Sequence, residues 1–564
     1  KTTHDIVIQL AERGIVSSIC SKNDLNEIRD ILTETEIWNY FVLPSINWEP
    51  KGRRIQTLIE TVGLRPATVL FIDDNPTNLE EAKHLLPDLQ TAGPEFIPQI
   101  LGSELFVGKD DRSLSRLKQY RLIQLRQEDA EAGDGWNADF LRGCNITVEI
   151  DFNVADHLDR AIELVNRTNQ LNFTKLRLPE EPARARDEFK TLLDKQFIQA
   201  GIIHVRDKYG DHGYCGLYVM DRVGKQRRLL HFCFSCRILN MGVEQWVYRL
   251  LGRPMLCAVG EVLSDVFDET TEVDWITHHV PLGGETVARE GRSLPPVFAR
   301  GGCDLAAVTH YFSLHSPEVV TEYNIIRAGI AIRIDHSQLL RHAIEGTAPE
   351  AQEALTALGY EPEDLSTECF ASRPYNGIRI FSCWADADIP LYRHKTTDLV
   401  VPFWLVGAGS RDLTVLPEGE LFALAGTPAA QDAVRYFRQN FVYAGFLDKA
   451  GLKQNLDGAF RTVSPTETIY VILANERHKV TTNGSHLHRR HVQLNGWLRE
   501  IASEYPNVRL VDTAGVIEGD HELHDVNHFN RMVYYRLYEV IHKDVQQARA
   551  DSQANAAVVS EAAE

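Results

Sequence analysis

The residues best suited to chemistry stand where apolar runs give way to turns. Residues 69–76 read VLFIDDNP: four apolar strand formers lead into two carboxylates, Asp73 and Asp74, and Asn75-Pro76 then ends the strand. Ligands of an open parallel sheet sit outside the carboxyl ends of its strands. Two carboxylates there suit a hard cation such as Mg²⁺, which takes oxygen ligands and keeps waters for a phosphate to replace. An ordinary solvated turn would use the same residue types. Upstream, GIVSSIC (14–20) reads as a strand ending at Ser21-Lys22-Asn23, with a helix opening at about Asp24. A hydroxyl at such a helix start can hold a phosphate oxygen, although Ser21 or Asn23 could equally be a helix cap. Lys51, in INWEPKGRR, opens the next helix and supplies a cation.

Two thiols occupy comparable places. Cys236 follows a strand and is expected to head a helix, with Arg237 beside it; both features would lower a thiol pKa. His231 and His212 are candidate bases, while a small buried core residue is the plainer role for a free cysteine. Cys233 and Cys236 are formally C-x-x-C, but no second pair accompanies them, so zinc is not expected. Cys303 lies in VFARGGCDLAAVTHYF, read as strand, glycine turn and helix, a place where a nucleophile is held up at a sheet edge. Near the other end, Asp525 and His528 are three residues apart in HDVNHF and can pair on a helical face or in the turn before it. A carboxylate orienting an imidazole beside a nucleophile is the logic of acyl transfer. Asn475, after a strand, is a weaker candidate for an oxyanion donor. The run 475–490, NERHKVTTNGSHLHRR, is the one locally basic patch; it reads as a solvated loop or as a landing place for an acidic partner.

The elements that must position these residues are those of a multidomain α/β protein. The 564 residues allow three or four domains. With 59 basic and 79 acidic side chains, the net charge is −20, which argues against nucleic acid as the main partner. No apolar stretch is long enough to span a membrane. No leader peptide is expected, and nine scattered cysteines fit a reduced, cytoplasmic setting. The chain opens at Lys1 directly in a helical pattern, so further residues are expected upstream. The pattern divides into 1–110, 111–262, a polar linker at 263–296, 297–545, and a disordered tail at 546–564 that lacks aromatics. Within 166–172, Asn166, Thr168, Asn169, Gln170 and Asn172 read as a hydrogen-bonding loop.

Ser21, Lys51 and Asp73-Asp74 come in the order of motifs II to IV of the haloacid dehalogenase (HAD) phosphohydrolases. GIVSSICSKND, INWEPK and FIDDNPTNLEEA resemble the FkbH-like branch of that superfamily, and TNQLNFT, DKYGDHGYCGL and FSCRILNMGVEQ resemble its second, N-acetyltransferase (GNAT)-like half. The resemblance covers roughly residues 1–255. It implies that Ser21, with Lys22 and Asn23, binds the phosphoryl group, that Lys51 neutralises it, and that Asp73 and Asp74 support Mg²⁺. It further implies a glyceryltransferase and phosphatase that takes a phosphorylated three-carbon acid and loads an acyl carrier protein through a thioester, here at Cys236. The family's nucleophilic DxDxT motif has no counterpart before Ser21, since Asp5 stands alone; phosphatase activity is therefore in doubt. Residues 297–545 resemble the SGNH/GDSL hydrolase-like fold, with Cys303 where serine is usual and an insertion expected near 337–365. The implied setting is natural-product or polysaccharide biosynthesis. Two alternatives stay open: an SGNH-type esterase with a vestigial HAD-like half, and a non-catalytic docking platform.

Overall fold

Short apolar runs set the strands, and the structure, a computed structural model, describes residues 2–132, 138–195, 198–223, 226–282, 285–289, 294–302, 305–371, 377–477 and 485–561. The protein is a mixed α/β chain with several parallel sheets, in two compact units. The first comprises Lys1–Arg186 and Ala200–Ala288, the second Asp187–Gln199 and Arg289–Glu564.

The first unit begins with helix α1 (Thr2–Glu12) and strand β1 (Cys20–Ser21), followed by α2 (Leu25–Glu34) and β2 (Ser45–Ile46). Helix α3 (Lys51–Val62), strand β3 (Leu70–Ile72), helix α4 (Pro76–Leu85) and strand β4 (Gln90–Ala92) come next. β1 pairs in parallel with β2, and β3 with β4. The strand expected over 14–20 is looser than its sequence suggests: pairing starts with a bridge from Ser17 to Phe41 and becomes a ladder only at Cys20. The carbonyls of Ser17, Ile19 and Ser21 accept from Val42, Ser45 and Asn47. Because strand groups alternate sides, the main-chain groups of Ser18 and Cys20 face away from β2. By the same count, Leu70 and Ile72 of β3 face away from β4, since Asp73 and Val69 bond to it. Each pair therefore keeps one edge to which no described strand bonds.

Helix α5 (Ser115–Ala132) leads to a six-stranded sheet built from β5 (Ile146–Asp151), β6 (Gln199–Asp207), β7 (Gly210–Val223), β8 (Gln226–Phe234), β9 (Ile276–Leu282) and β10 (Glu285–Arg289), in the order β10-β9-β5-β6-β7-β8. β5 alternates cleanly, with Ile146, Val148 and Ile150 buried. β9 corrects the expected linker at 263–296: residues 276–282 form a strand parallel to β5, with Ile146 opposite Ile276. The polar run near 166–172 is a hydrogen-bonding loop, in which Asn172 donates to the Val165 carbonyl and Asn166 accepts from Leu178 N–H.

The second unit is organised by a parallel sheet of β11 (Val297–Arg300), β12 (Val319–Glu322), β15 (Ile378–Phe381), β19 (Thr468–Ile472) and β20 (Val508–Val511), in the order β12-β11-β15-β19-β20. Numbered within the sheet, this is 2-1-3-4-5. β11 and β15 are buried throughout, as central parallel strands covered on both faces must be. On one face, Phe298, Phe381, Ile469 and Val471 pack with residues of helices Ser337–Glu345, Lys449–Thr462 and Ser485–Ala502. Helices Leu305–Ser313 and Arg531–Glu561 pack against each other and contact strands of the same sheet. The material added to this sheet is larger than the insertion expected near 337–365. It includes the hairpin β13 (Ile325–Arg327) and β14 (Ile330–Arg333), and an antiparallel trio of β16 (Leu391–His394), β17 (Val400–Pro402) and β18 (Phe441–Gly445), which share a core around Ile332, Tyr392, Phe403 and Phe437. The last helix runs to Glu561, through most of the tail expected to be disordered.

Two buried ion pairs lock this sheet. Arg300 at the end of β11 meets Glu322 at the end of β12 at 2.6 Å, and Arg379 in β15 meets Glu467 at 2.9 Å. Glu322 also accepts from Cys369 N–H and the Thr367 hydroxyl. Removing one partner of such a pair strands a buried charge. Glu322→Ala is therefore expected to cost about 3–5 kcal/mol, and the double change Arg300→Met with Glu322→Leu to recover most of it. Guanidinium denaturation of the full chain measures both; equal losses from the single and the double change would refute the argument.

Candidate functional site

In the first unit, Ser21, Lys51 and Asp73 all lie at the carboxyl ends of parallel strands or the helix that follows. Pro50 precedes α3, so Lys51 is its first residue; its ammonium meets Asp73 Oδ2 at 2.5 Å. The other Asp73 oxygen accepts from Asn75 N–H and the Asn78 amide, both at 2.9 Å. Burial alone would raise the Asp73 carboxyl, but Lys51, Asn78 and Asn75 outweigh it and hold the pKa below the ordinary value. Asp74 is exposed, and Asn75 caps α4 with Pro76 behind it. Asp24, rather than Ser21 or Asn23, caps α2; Asn23 accepts from Asp24 N–H, and Lys22 is exposed. The Cys20 thiol, next to Ser21, is pushed up by burial while the charges of Arg54, Lys51 and Asp73 act on it, which places the end of β1 beside the Lys51–Asp73 pair.

Arg54 was not singled out by sequence, yet it ties the cluster together. It is buried and donates to the carbonyls of Ser21 (3.0 Å), Asn47 (3.1 Å), Glu49 (3.2 Å) and Ser45, and to the Ser45 hydroxyl. Its spacing three residues after Lys51, on the same helical face, was the available signal. Among the described residues, no group of three His, Cys, Asp or Glu side chains converges as a metal-holding set. Both Asp73 oxygens are engaged, one by Lys51 and the other by Asn75 N–H and the Asn78 amide, so a cation at Asp73 and Asp74 would compete with the Lys51 ammonium.

Cys236 differs from expectation in its surroundings. It begins a three-residue turn, Cys236–Ile238, capped by Ser235; the α-helix Val243–Leu250 starts later, after Gly242. The thiol abuts the C-terminal end of α3, where a Cβ on Gly63 would stand 2.6 Å from the Cys236 Cβ. Burial raises its pKa, and the nearby Arg237 and Arg116 do not reverse the shift. The two candidate bases are both buried. Burial lowers His231 to about 4, so it is neutral at neutral pH. His212 Nε2 meets Asp207 at 2.9 Å, and Arg126 joins both from the other side.

In the second unit, strand order reverses between β11 and β15, and a crevice opens at such a switch point. β11 ends in Arg300, Gly301 and Gly302. Gly302 N–H lies 3.3 Å from the Ser382 hydroxyl at the end of β15. A Cβ on Gly301 would collide with Ser382 and Leu305, so the turn requires glycine. Cys303 follows immediately and lies outside the described residues.

Asp525 and His528 sit in the loop before the last helix, closed by a bridge between Leu523 and Phe529. The Asp525 carboxylate lies 2.8 Å from His528 Nδ1 and also accepts from Asn527 and His528 N–H. Burial would raise the Asp525 carboxyl, but His528 and those two N–H groups bring it below the ordinary value. With Nδ1–H donated to the carboxylate, Nε2 carries the lone pair, which is the tautomer a general base needs. Asn475, at the end of β19, donates to the Val526 carbonyl at 3.3 Å and so holds this loop. Asn527 donates to Asp388 at 2.9 Å, and Asp388 faces buried His491 at 3.4 Å. Burial would lower His491, but Asp388 and the Asn475 carbonyl prevail and raise it. His491 directly follows the basic run noted in sequence; His478, within that run, lies outside the described residues.

Set against known proteins, the chain matches no family model and no curated sequence. Among the described residues, no helix is long and apolar enough to cross a membrane.

A buried acidic group backs the end of β15. Asp386 meets His336 Nδ1 at 2.8 Å and accepts from Ser337 N–H, while Asp335 accepts from Trp384 N–H. Burial, with Asp386 and Asp388 nearby, raises Asp335 to about 6. A carboxyl raised on folding adds stability below its unfolded pKa, and this is lost as pH rises through about 6. Asp335→Asn keeps the acceptor and removes the charge. It should raise the thermal midpoint at pH 8 and change it little at pH 4; a uniform shift at both would contradict the assignment.

Proposed function

We propose that this chain is an acyl-transfer enzyme. Its first unit is an FkbH-like HAD module joined to a GNAT-like domain, and its second carries an SGNH-like fold. The observation that carries the reading is the Asp525–His528 pair, its carboxylate set on Nδ1 of the ring, at the carboxyl edge of a 2-1-3-4-5 sheet. In the second unit His528 takes the proton of the Cys303 thiol. The sulfur adds to a carbonyl, the leaving group departs with that proton, and an acceptor hydroxyl, thiol or water then releases the acyl group. The resting carboxylate orients the ring and stabilises the imidazolium.

In the first unit, the Lys51 and Arg54 cations beside Ser21 favour binding of a phosphorylated three-carbon acid. Cys236 is the acceptor: its sulfur bonds to the acyl carbon of an acyl phosphate, phosphate leaves, and the thiol proton passes to solvent. An acyl carrier protein then takes the unit by thioester exchange. The raised pKa of Cys236 supports a slow, substrate-triggered thiol, not a standing thiolate. Mg²⁺ belongs to this reading only through the resemblance at Asp73 and Asp74. The FkbH-like nucleophile strand would fall beside the edges of β1 and β3 that point away from β2 and β4. A cytoplasmic setting in natural-product or polysaccharide assembly fits the net charge and scattered thiols.

The paired-base arrangement makes a sharp prediction. His528→Ala and Asp525→Asn should each lower kcat for release of an acyl group from an acyl-pantetheine thioester by about 10²–10⁴, with KM little changed. Cys303→Ala should abolish it, and Cys236→Ala should abolish the acyl adduct seen by intact-protein mass spectrometry. Loss with Cys303→Ala alone would leave a plain esterase; no effect from either cysteine would leave a docking platform.

A further inference from the structure

His491, in the helix Ser485–Ala502, is fully buried, and each of its ring nitrogens faces an acceptor. Nδ1 lies 2.8 Å from the Asn475 carbonyl, which cannot donate, so Nδ1 carries a proton. Nε2 lies 3.4 Å from Asp388 Oδ1. A neutral ring with its proton on Nδ1 would turn the Nε2 lone pair toward a carboxylate, acceptor against acceptor. A second proton on Nε2 removes that conflict and makes the ring a cation between two acceptors. Burial opposes such a charge, but Asp388 and the Asn475 carbonyl outweigh both burial and the repulsion of Arg490. Asp388, from the short helix after β15, and Arg490, its own neighbour, are the charges that act on the ring. Glu476, after β19, is taken by Asn495 and Arg499. The pairs with the helix Lys449–Thr462, Lys449 to Glu500 and Lys453 to Glu504, lie more than two turns farther along.

The same two acceptor residues anchor the Asp525–His528 loop. Asp388 Oδ2 accepts from the Asn527 amide at 2.9 Å, and the Asn475 amide donates to the Val526 carbonyl at 3.3 Å. Val526 and Asn527 are the two residues between Asp525 and His528. We infer that His491 is a buried imidazolium and a positioning residue for His528: its two N–H groups tie Asp388 to Asn475, and these hold the loop that carries the Asp525–His528 pair. The inference rests on the reading of His528 as the base of acyl transfer and adds the proton on which its placement depends. A histidine whose pKa is raised by folding contributes stability at low pH that is lost as pH rises through the folded value. Deprotonation of His491 leaves a lone pair against Asp388, so the clamp opens on the alkaline side. His528 acts as a base only when unprotonated, which sets the acid limb of the pH profile; His491 sets the alkaline limb.

The test is an NMR titration of the full chain labelled with carbon-13 in its histidine rings. The His491 and His528 signals are assigned by their absence from His491→Gln and His528→Ala. His491 should titrate above the ordinary imidazole value of about 6.5. The His528 signal should show a second step at that same pH, and His491→Gln should remove the step. Asp388→Asn keeps an acceptor for the Asn527 amide and offers a donor to Nε2, so it should bring the His491 titration below about 6.5. With acetyl-pantetheine, kcat should fall by about tenfold to a hundredfold across the His491 step, with KM little changed, and this fall should be absent from His491→Gln. A His491 that titrates below about 6.5 in the unaltered chain, a His528 signal without the second step, or an alkaline limb that persists in His491→Gln overturns the inference. The second step in a chain that releases no acyl group at any pH would keep the clamp and sink the acyl-transfer reading. Acyl release lost in His528→Ala but without the second step would do the reverse.

Discussion

The reversal of strand order between β11 and β15 is the constraint on which the second unit depends. Connections from neighbouring strands leave in opposite directions there, so no helix can cover the carboxyl ends of both. A crevice is the geometric result, and the local sequence serves it. Gly301 has no side chain because Ser382 and Leu305 occupy the space a Cβ would need. Arg300 and Glu322 anchor the outer side of β11, and Arg379 and Glu467 anchor β15 and its surroundings. Desolvated pairs of this kind contribute little net stability against an apolar core, but they punish misregister heavily. They sit where a small error in strand register would move the Gly301–Gly302 turn away from Ser382.

The first unit solves a different electrostatic problem. Its cations are gathered at strand ends where they meet carbonyls and one carboxylate. Lys51 is matched by Asp73, whereas Arg54 spends its donors on main-chain oxygens of Ser21, Ser45, Asn47 and Glu49. That leaves its charge to project a positive field past the end of β1. The Cys236 thiol lies in the same unit but in the opposite regime: burial raises its pKa, and the adjacent Arg237 and Arg116 do not reverse the shift. A neutral thiol resists adventitious oxidation.

What could be read from sequence follows the range of the forces involved. The strand and turn at VLFIDDNP were legible because the strand pattern, Asn75 as cap and Pro76 at the first helical position are all local. The pairing of Asp525 with His528 was legible for the same reason. The strand at 276–282 was not, because ITHHVPL alternates poorly and its place is set by β5, more than a hundred residues away. Cys236 was read as heading an α-helix because FSCRILNMGVEQ is helical in composition; Gly242, with φ of 73°, delays the helix to Val243. The tail was read as disordered from its lack of aromatics, yet Ala, Gln and Glu are good helix formers, and the helix from Arg531 continues through them. Asp388 and His491 were not legible as a pair, since the fold alone brings them together; Arg54 was signalled only by its spacing from Lys51.

Net charge also limits how an acidic partner could reach this chain. At −20 the chain repels an acidic partner at long range. Docking must therefore rely on local cations that outweigh the field within a Debye length, about 8 Å at physiological salt. Arg477 and Arg489 are exposed and flank the stretch 478–484, close in sequence to Asn475 and His491, which hold the Asp525–His528 loop. A partner drawn to these arginines would arrive beside the end of β19, on the same edge of the sheet as the Asp525–His528 pair. Such recruitment would be steered by short-range charge, so its on-rate would fall with salt.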